Sequence, residues 1–274
     1  MAAFLLFACF FIVKAACSSS NGSSPKDKTD SVVPGSASAL AAGYSDLHIA
    51  RYAEDKVASN NIRKNYTGFT VSFNPSNHTP DWVGWELLAS ETDGPASRSN
   101  NFWNDEEVAG CAFSSDYKGS GFDRGHLCPS ADQKWSQEAM ADCFVMTNMA
   151  PQDHALNAGA WQTLEKKERL WAKRDSALVI VAGPIYTPDD RRRIGDTGVR
   201  VPSAFFKVIL APYVDEPRAI GFIYPNMTAP GNMENYSMTV DEVESITGLD
   251  FFSSLPDDIE NTVESRKSFT LWNR

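Results

Sequence analysis

Asp123-Arg124-Gly125-His126-Leu127-Cys128-Pro129 and, further along, Asn157-Ala158-Gly159-Ala160-Trp161 with Glu165 and Arg169 decide how the chain is read. Free imidazole has a pKa near 6.5, so at neutral pH much of His126 is able to take a proton. Gly125 permits close backbone approach, Arg124 offers a planar fork of donors suited to phosphate, and Asp123 can fix a neighbour by hydrogen bonds. One histidine among four in a chain is more often a surface or hydrogen-bonded residue than a base, so the string gains meaning from the residues downstream of it.

Leu156 to Arg174 has helical character, and Trp161, Leu164 and Trp171 lie within about 80° of one another at roughly 100° per residue. That stripe is expected to face the core. Asn157, Glu165 and Arg169 border it and would line a cleft wall; the plainer reading is a solvated face with a Glu165–Arg169 pair contributing about 0.3–0.5 kcal/mol. A base, an amide oxygen suited to a hard cation and phosphate-facing arginines together point to phosphodiester hydrolysis.

The 274 residues, 42% hydrophobic and 11% aromatic, suffice for one packed domain. A net charge of -10 and a pI near 4.9 argue against a broad basic surface that holds nucleic acid. The acidity is uneven: Gly231 to Thr262 carries eight Asp and Glu and no Lys or Arg, whereas Lys166, Lys167, Arg169, Lys173 and Arg174 surround the single acid Glu168. A local cationic cleft is compatible with that total.

Met1 to Ala16 is nearly continuous apolar sequence, too short to span a bilayer but long enough for a signal peptide. Ala15-Ala16-Cys17 before a Ser-rich stretch resembles the cleavage site of bacterial lipoproteins, which predicts export and a membrane anchor through a lipid on Cys17. Lys14 departs from that pattern, no basic residue precedes Phe4, and Leu6-Phe7-Ala8-Cys9 is a second, poorer match; an ordinary secretory signal with a periplasmic or secreted product, or a start upstream of Met1, are the alternatives. Residues 17–43 are rich in Ser, Gly, Ala and Pro and read as a flexible tether to a domain over 44–274.

Phe69, Val71 and Phe73 alternate, a turn cluster Asn74-Pro75-Ser76-Asn77 comes next, and Trp82 to Leu88 returns, which predicts a hairpin. Leu178 to Ala182, Phe205 to Ala211 and Ala219 to Tyr224 are short apolar runs expected to be buried strands of a mixed, mainly antiparallel sheet. Thr239-Val240-Asp241-Glu242 is a capping box for a short helix through Ile246, with Gly248 placed to end it. Strands and helices without regular alternation give an α+β class.

Asp123 to Pro129, Thr147-Asn148-Met149-Ala150-Pro151-Gln152, Asn157 to Trp161 with Glu165 and Arg169, Gly183-Pro184-Ile185-Tyr186 and Val201 to Lys207 stand in one order. Together, over roughly Tyr44 to Ile259, they resemble the DNA/RNA non-specific endonuclease family, which includes bacterial secreted nucleases and mitochondrial endonuclease G. The resemblance implies a ββα-metal, or His-Me finger, fold and cleavage of both DNA and RNA to 5′-phosphate and 3′-hydroxyl ends. It implies His126 as general base, Asn157 as protein ligand of Mg²⁺ with Mn²⁺ as substitute, and Glu165 holding metal-bound water. Arg169 and Arg124 would offset charge on the phosphorane, Asn148 would help organise the site, and Asp123 would support it. Arg98 is the further candidate for a phosphate-binding arginine, a plain surface arginine being the other reading. A homodimer is a further partner of this reading.

Cys128 stands where the family usually has a smaller residue, and His154 lies between the two asparagine motifs, as a surface histidine or a further phosphate contact. Cys111, Cys128 and Cys143 would allow one disulfide and one free thiol after export, and with no C-x-x-C pair a zinc site is not expected. Arg191-Arg192-Arg193 is either a substrate-side basic patch or a solvated loop. A nucleic-acid-capturing surface lipoprotein with little activity, and a phosphodiesterase for small esters, are the competing functions.

Overall fold

The computed structural model describes residues 53–55, 60–189 and 191–273. The apolar leader, Cys17, the tether and the start of the expected domain lie outside them. Among the described residues no helix is long and apolar enough to cross a membrane.

The strands are β1 (Ala53–Asp55), β2 (Ile62–Asn65), β3 (Thr70–Asn74), β4 (Thr79–Leu88), β5 (Asp123–His126), β6 (Met149–Gln152), β7 (Ala177–Ile185), β8 (Arg193–Ile194), β9 (Val199–Arg200), β10 (Ala204–Ala211), β11 (Arg218–Pro225), β12 (Ser237–Met238) and β13 (Leu249–Phe251). The helices are α1 (Gln137–Asp142), α2 (Gln162–Asp175), α3 (Val240–Thr247), α4 (Asp257–Glu264) and α5 (Phe269–Trp272). Seven strands form one sheet in the order β12-β11-β10-β7-β4-β3-β2. The hairpin expected from Phe69 to Leu88 is β3 and β4, and the three apolar runs are β7, β10 and β11.

Every pairing in this sheet is antiparallel, the direction expected to predominate. A strand buried on both faces shows an unbroken apolar run whatever the direction of its neighbour, so the runs themselves carry no information on direction. Alternation along β10 sorts the core into two layers: Phe205 and Ile209 join one cluster, Phe206, Val208 and Leu210 the other. The first layer also receives Leu127, Met149, Trp161 and Leu164, and the second receives Val240, Val243 and Val263. The class is α+β, as expected.

Between the neighbouring strands β4 and β7 the chain makes a long excursion that holds β5, β6 and α2, a ββα unit laid on the first layer. The helix expected from Leu156 to Arg174 is interrupted. Leu156–Trp161 forms a wide π-type turn in which Gly159 departs from helical geometry (φ -110°, ψ -108°), and only then does α2 run to Asp175. Single π turns of this kind recur at functional sites, and this one carries Asn157. Trp161, Leu164 and Trp171 are buried as the stripe predicts. Thr239 and Glu242 close the capping box of α3, which ends on Gly248 in the left-handed region at φ 72°.

Cys111, Cys128 and Cys143 are all buried and free, so the single disulfide expected from sequence is not formed. Each sulfur has its own surroundings: Cys143 Sγ donates to the Met140 carbonyl at 3.1 Å, and Cys128 Sγ accepts from Gln133 Nε2 at 3.2 Å.

Candidate active site

Strands β5 and β6 pair with Asp123 opposite Gln152 and His126 opposite Met149. Gly125 is required here: a Cβ at this position would lie 2.5 Å from both Cβ and Oε1 of Gln152. Asn148, expected from the resemblance to organise the site, is fully buried and binds only backbone. Its Oδ1 accepts from Cys128 N, and its Nδ2 donates to the carbonyls of Cys128 and Cys143, all at 2.9 Å. It therefore acts as a positioning residue that fixes the chain leaving His126, and it cannot touch substrate.

The His126 ring packs against Phe144 (4.9 Å between centroids) and Phe102 (5.7 Å). Its Nε2 is sealed and has no hydrogen-bond partner among the described residues; Nδ1 also has none, and is not sealed. Burial, then the positive charges of Arg98 and Arg124, push the imidazole pKa down to about 3. The ring is neutral across the physiological range and has a free lone pair.

Asn157 Nδ2 donates to Asp123 Oδ2 at 2.8 Å. An ionised carboxylate only accepts, so this bond turns the amide with its NH₂ toward Asp123 and its oxygen away. Among the described residues Oδ1 makes no hydrogen bond. His154 Nδ1 meets the same Asp123 oxygen at 2.8 Å and is largely exposed, so His154 shares the brace of Asn157 rather than standing apart from the site.

Arg98, Phe102, Ser114, Ser115, Lys118, Asp123, Arg124 and Asn157 are among the residues lining a cleft of about 520 Å³. The two arginines are held by neutral groups. Arg124 donates to Ser114 Oγ at 2.9 Å and lies 4.4 Å over Phe102; Arg98 donates to Asn100 Oδ1 at 2.7 Å and to Ser130 Oγ and lies over Phe144. Among the described residues neither meets a carboxylate, so their charge is available to an anion. Arg192 extends this basic side by stacking 4.5 Å over Phe122, which also lines the cleft, whereas Arg193 is bound to the carbonyls of Ser76 and Gly198.

Glu165 and Arg169 are not on the cleft lining. Arg169 Nη1 donates to the fully buried Asp132 at 2.7 Å, so part of its charge is matched within the protein. Glu165 makes no hydrogen bond among the described residues, and burial raises its pKa to about 7, opposed by Lys207 and reinforced by Glu168 and Asp132. The Glu165 carboxyl and the Asn157 oxygen are each oxygen donors of the kind a hard hydrated cation takes, Asn157 on the cleft and Glu165 off its lining.

Residues 50–258 match the DNA/RNA non-specific endonuclease family. The chain belongs to this family. It is 34% identical over 212 residues to the mitochondrial nuclease EXOG of Xenopus laevis, covering 71% of this chain and 59% of that protein. It is 35% identical to a nuclease of Nostoc sp. (72% and 76% covered) and 31% identical to human mitochondrial endonuclease G (76% and 74%). The chain thus spans under two thirds of the EXOG proteins it matches. A solved complex of EndoG with EndoGI superposes with a TM-score of 0.67 at 27% identity, over 73% of this chain and 89% of that one. The ββα-metal fold implied by the family resemblance is therefore the fold of this chain.

Lys207, Glu168 and Asp132 are buried charged residues around Glu165 and Arg169 to which motif spacing assigned no role. Lys207 and Glu168 are both fully buried and 3.2 Å apart, with the ammonium 4.4 Å from the Trp161 ring. A lone lysine inside Phe205-Phe206-Lys207-Val208-Ile209 was the available signal, since a cation in such a run must have a partner. Asp132 had no local signal.

The depressed His126 pKa gives a testable pH dependence. The unfolded chain takes up a proton near pH 6.5 and the native ring only near 3, so unfolding binds more protons between those values and stability falls as pH falls through that window. His126→Ala should flatten this acid limb by about 3 kcal/mol relative to wild type in urea titrations at pH 7 and pH 4. Parallel limbs would show that the ring protonates freely in the native state.

Proposed function

We propose that the protein is a metal-dependent endonuclease that hydrolyses phosphodiester bonds of DNA and RNA without sequence or sugar specificity. The observation that supports this best is the pairing of a neutral imidazole with two arginines that no carboxylate among the described residues neutralises and that line one cleft with Asn157. In this reading Arg98 and Arg124 seat a backbone phosphate, and His126 removes a proton from water for in-line attack on phosphorus. The electron pair of the breaking P–O bond leaves on the 3′ oxygen, giving 5′-phosphate and 3′-hydroxyl ends. A phosphate that enters between the arginines also masks their charge, which raises the basicity of His126 when it is needed.

Asn157 Oδ1 would hold Mg²⁺, or Mn²⁺ in its place, with Glu165 on its water shell; when bound, the ion neutralises charge on the leaving oxygen. Asp123 orients the Asn157 amide for that role. Because the contacts address phosphates, base identity and the 2′-hydroxyl need not be read. The apolar leader and Cys17 support export in the same proposal, on a lipid anchor or as a periplasmic or secreted protein.

Purified protein incubated with supercoiled plasmid and with total RNA should degrade both in Mg²⁺ and neither in excess EDTA. Binding without cleavage would make it a capture protein instead. A preference for bis-nitrophenyl phosphate over either polymer would make it a small-ester phosphodiesterase.

A further inference from the structure

On the core layer away from α2, three carboxylates converge. Asp241 and Glu244 stand three residues apart on one side of α3, Glu264 is the last residue of α4, and one oxygen from each lies within 4.8 Å of the others. Glu264 is only 5% exposed. It makes no hydrogen bond among the described residues, and its Oε1 is sealed from solvent. Glu244 Oε1 accepts from Phe251 N at 2.7 Å, which sets the side chain toward the group, and Asp241 is exposed, so the cluster opens to water on one side.

Among the described residues no lysine or arginine forms a salt bridge with Asp241 or Glu264. Gly231 to Thr262 has eight acids and no Lys or Arg, and Lys267 donates to the Ser237 carbonyl at 2.8 Å. Burial, then Glu244, Glu260, Asp241 and Asp250, raise the Glu264 pKa to about 9. Glu264 also sits at the negative end of the α4 dipole, where a cation is favoured and a carboxylate is not. Ionising this buried, unbonded carboxyl near neutral pH takes a counter-charge.

We propose that Asp241, Glu244 and Glu264 bind one divalent cation, Ca²⁺, and that this ion clamps α4 to α3. Three carboxylates and open water positions make an all-oxygen set of the kind Ca²⁺ takes with six to eight ligands, while the lack of His and Cys disfavours zinc. Val240, Val243 and Val263 pack in the layer of Phe206 and Val208, and Trp161 and Leu164 in that of Phe205. The clamp is therefore separate from the Asn157 site, and it stands whether or not the protein cleaves nucleic acid.

The test is thermal unfolding of EGTA-stripped full-length protein titrated with CaCl₂ and with MgCl₂. Wild type should gain about 5 °C or more at a hundredfold excess of Ca²⁺ over its Kd, and less with Mg²⁺ at the same concentration. Asn157→Ala should keep the Ca²⁺ response. Glu264→Gln, which keeps the shape of the neutral carboxyl and so should fold without the ion, and the exposed Asp241→Asn should lose it. A Tm independent of CaCl₂ would overturn the proposal, as would a Ca²⁺ shift that survives in both carboxamide variants.

Discussion

His126→Ala should lower the rate of plasmid nicking at saturating Mg²⁺ by about 10²-fold or more, the usual contribution of a positioned general base. Asn157→Ala should lower it by a similar factor through loss of metal-dependent charge stabilisation. The two variants should differ in their metal dependence. His126→Ala leaves the Mg²⁺ concentration for half-maximal rate near that of wild type, because His126 has no part in holding the ion. Asn157→Ala raises it, because the only oxygen that Asp123 orients away from itself is gone. Circular dichroism and Tm establish that each variant is folded; a folded variant that cleaves at the wild-type rate removes its residue from the mechanism.

The second large effect concerns stability. Lys207→Ala strands Glu168 between α2 and the sheet, where both partners are fully buried. Breaking such a pair from one side costs about 3–5 kcal/mol, which for a domain of this size lowers Tm by roughly 10 °C. The double variant Lys207→Met, Glu168→Leu should recover most of that loss, because it leaves no uncompensated charge and keeps the aliphatic stem over Trp161. Thermal melts of the three proteins check this; a single-variant loss below about 1 kcal/mol would mean that water or a proton readily replaces the lysine.

Legibility in the sequence tracks the range of the interaction that creates each feature. Alternation at Phe69, Val71 and Phe73, the Thr239–Glu242 box and the Trp161, Leu164, Trp171 stripe are local patterns, and each forms the element it predicts. The π turn at Gly159 was not legible because helical spacing continues through it; the departure is a backbone choice that glycine allows and Asn157 stabilises by reaching Asp123 across 34 positions. Arg169 pairs with Asp132 at a separation of 37 and Lys207 with Glu168 at 39, so neither partner could be chosen from spacing. The motif did bring Arg98, Asp123, Arg124 and Asn157 to one cleft. It did not reveal that Arg169 is bound to a buried carboxylate, or that His126 sits behind Phe102 with its pKa pushed far down.

The proposed chemistry turns on a hydrated divalent ion held at Asn157 within reach of the phosphate that His126 serves. Crystals soaked in Mn²⁺ and measured at the manganese edge test it most directly. An anomalous peak within bonding distance of Asn157 Oδ1, absent from Asn157→Ala crystals soaked in the same way, is the predicted result; manganese density that avoids Asn157, or persists there without the amide, would contradict it.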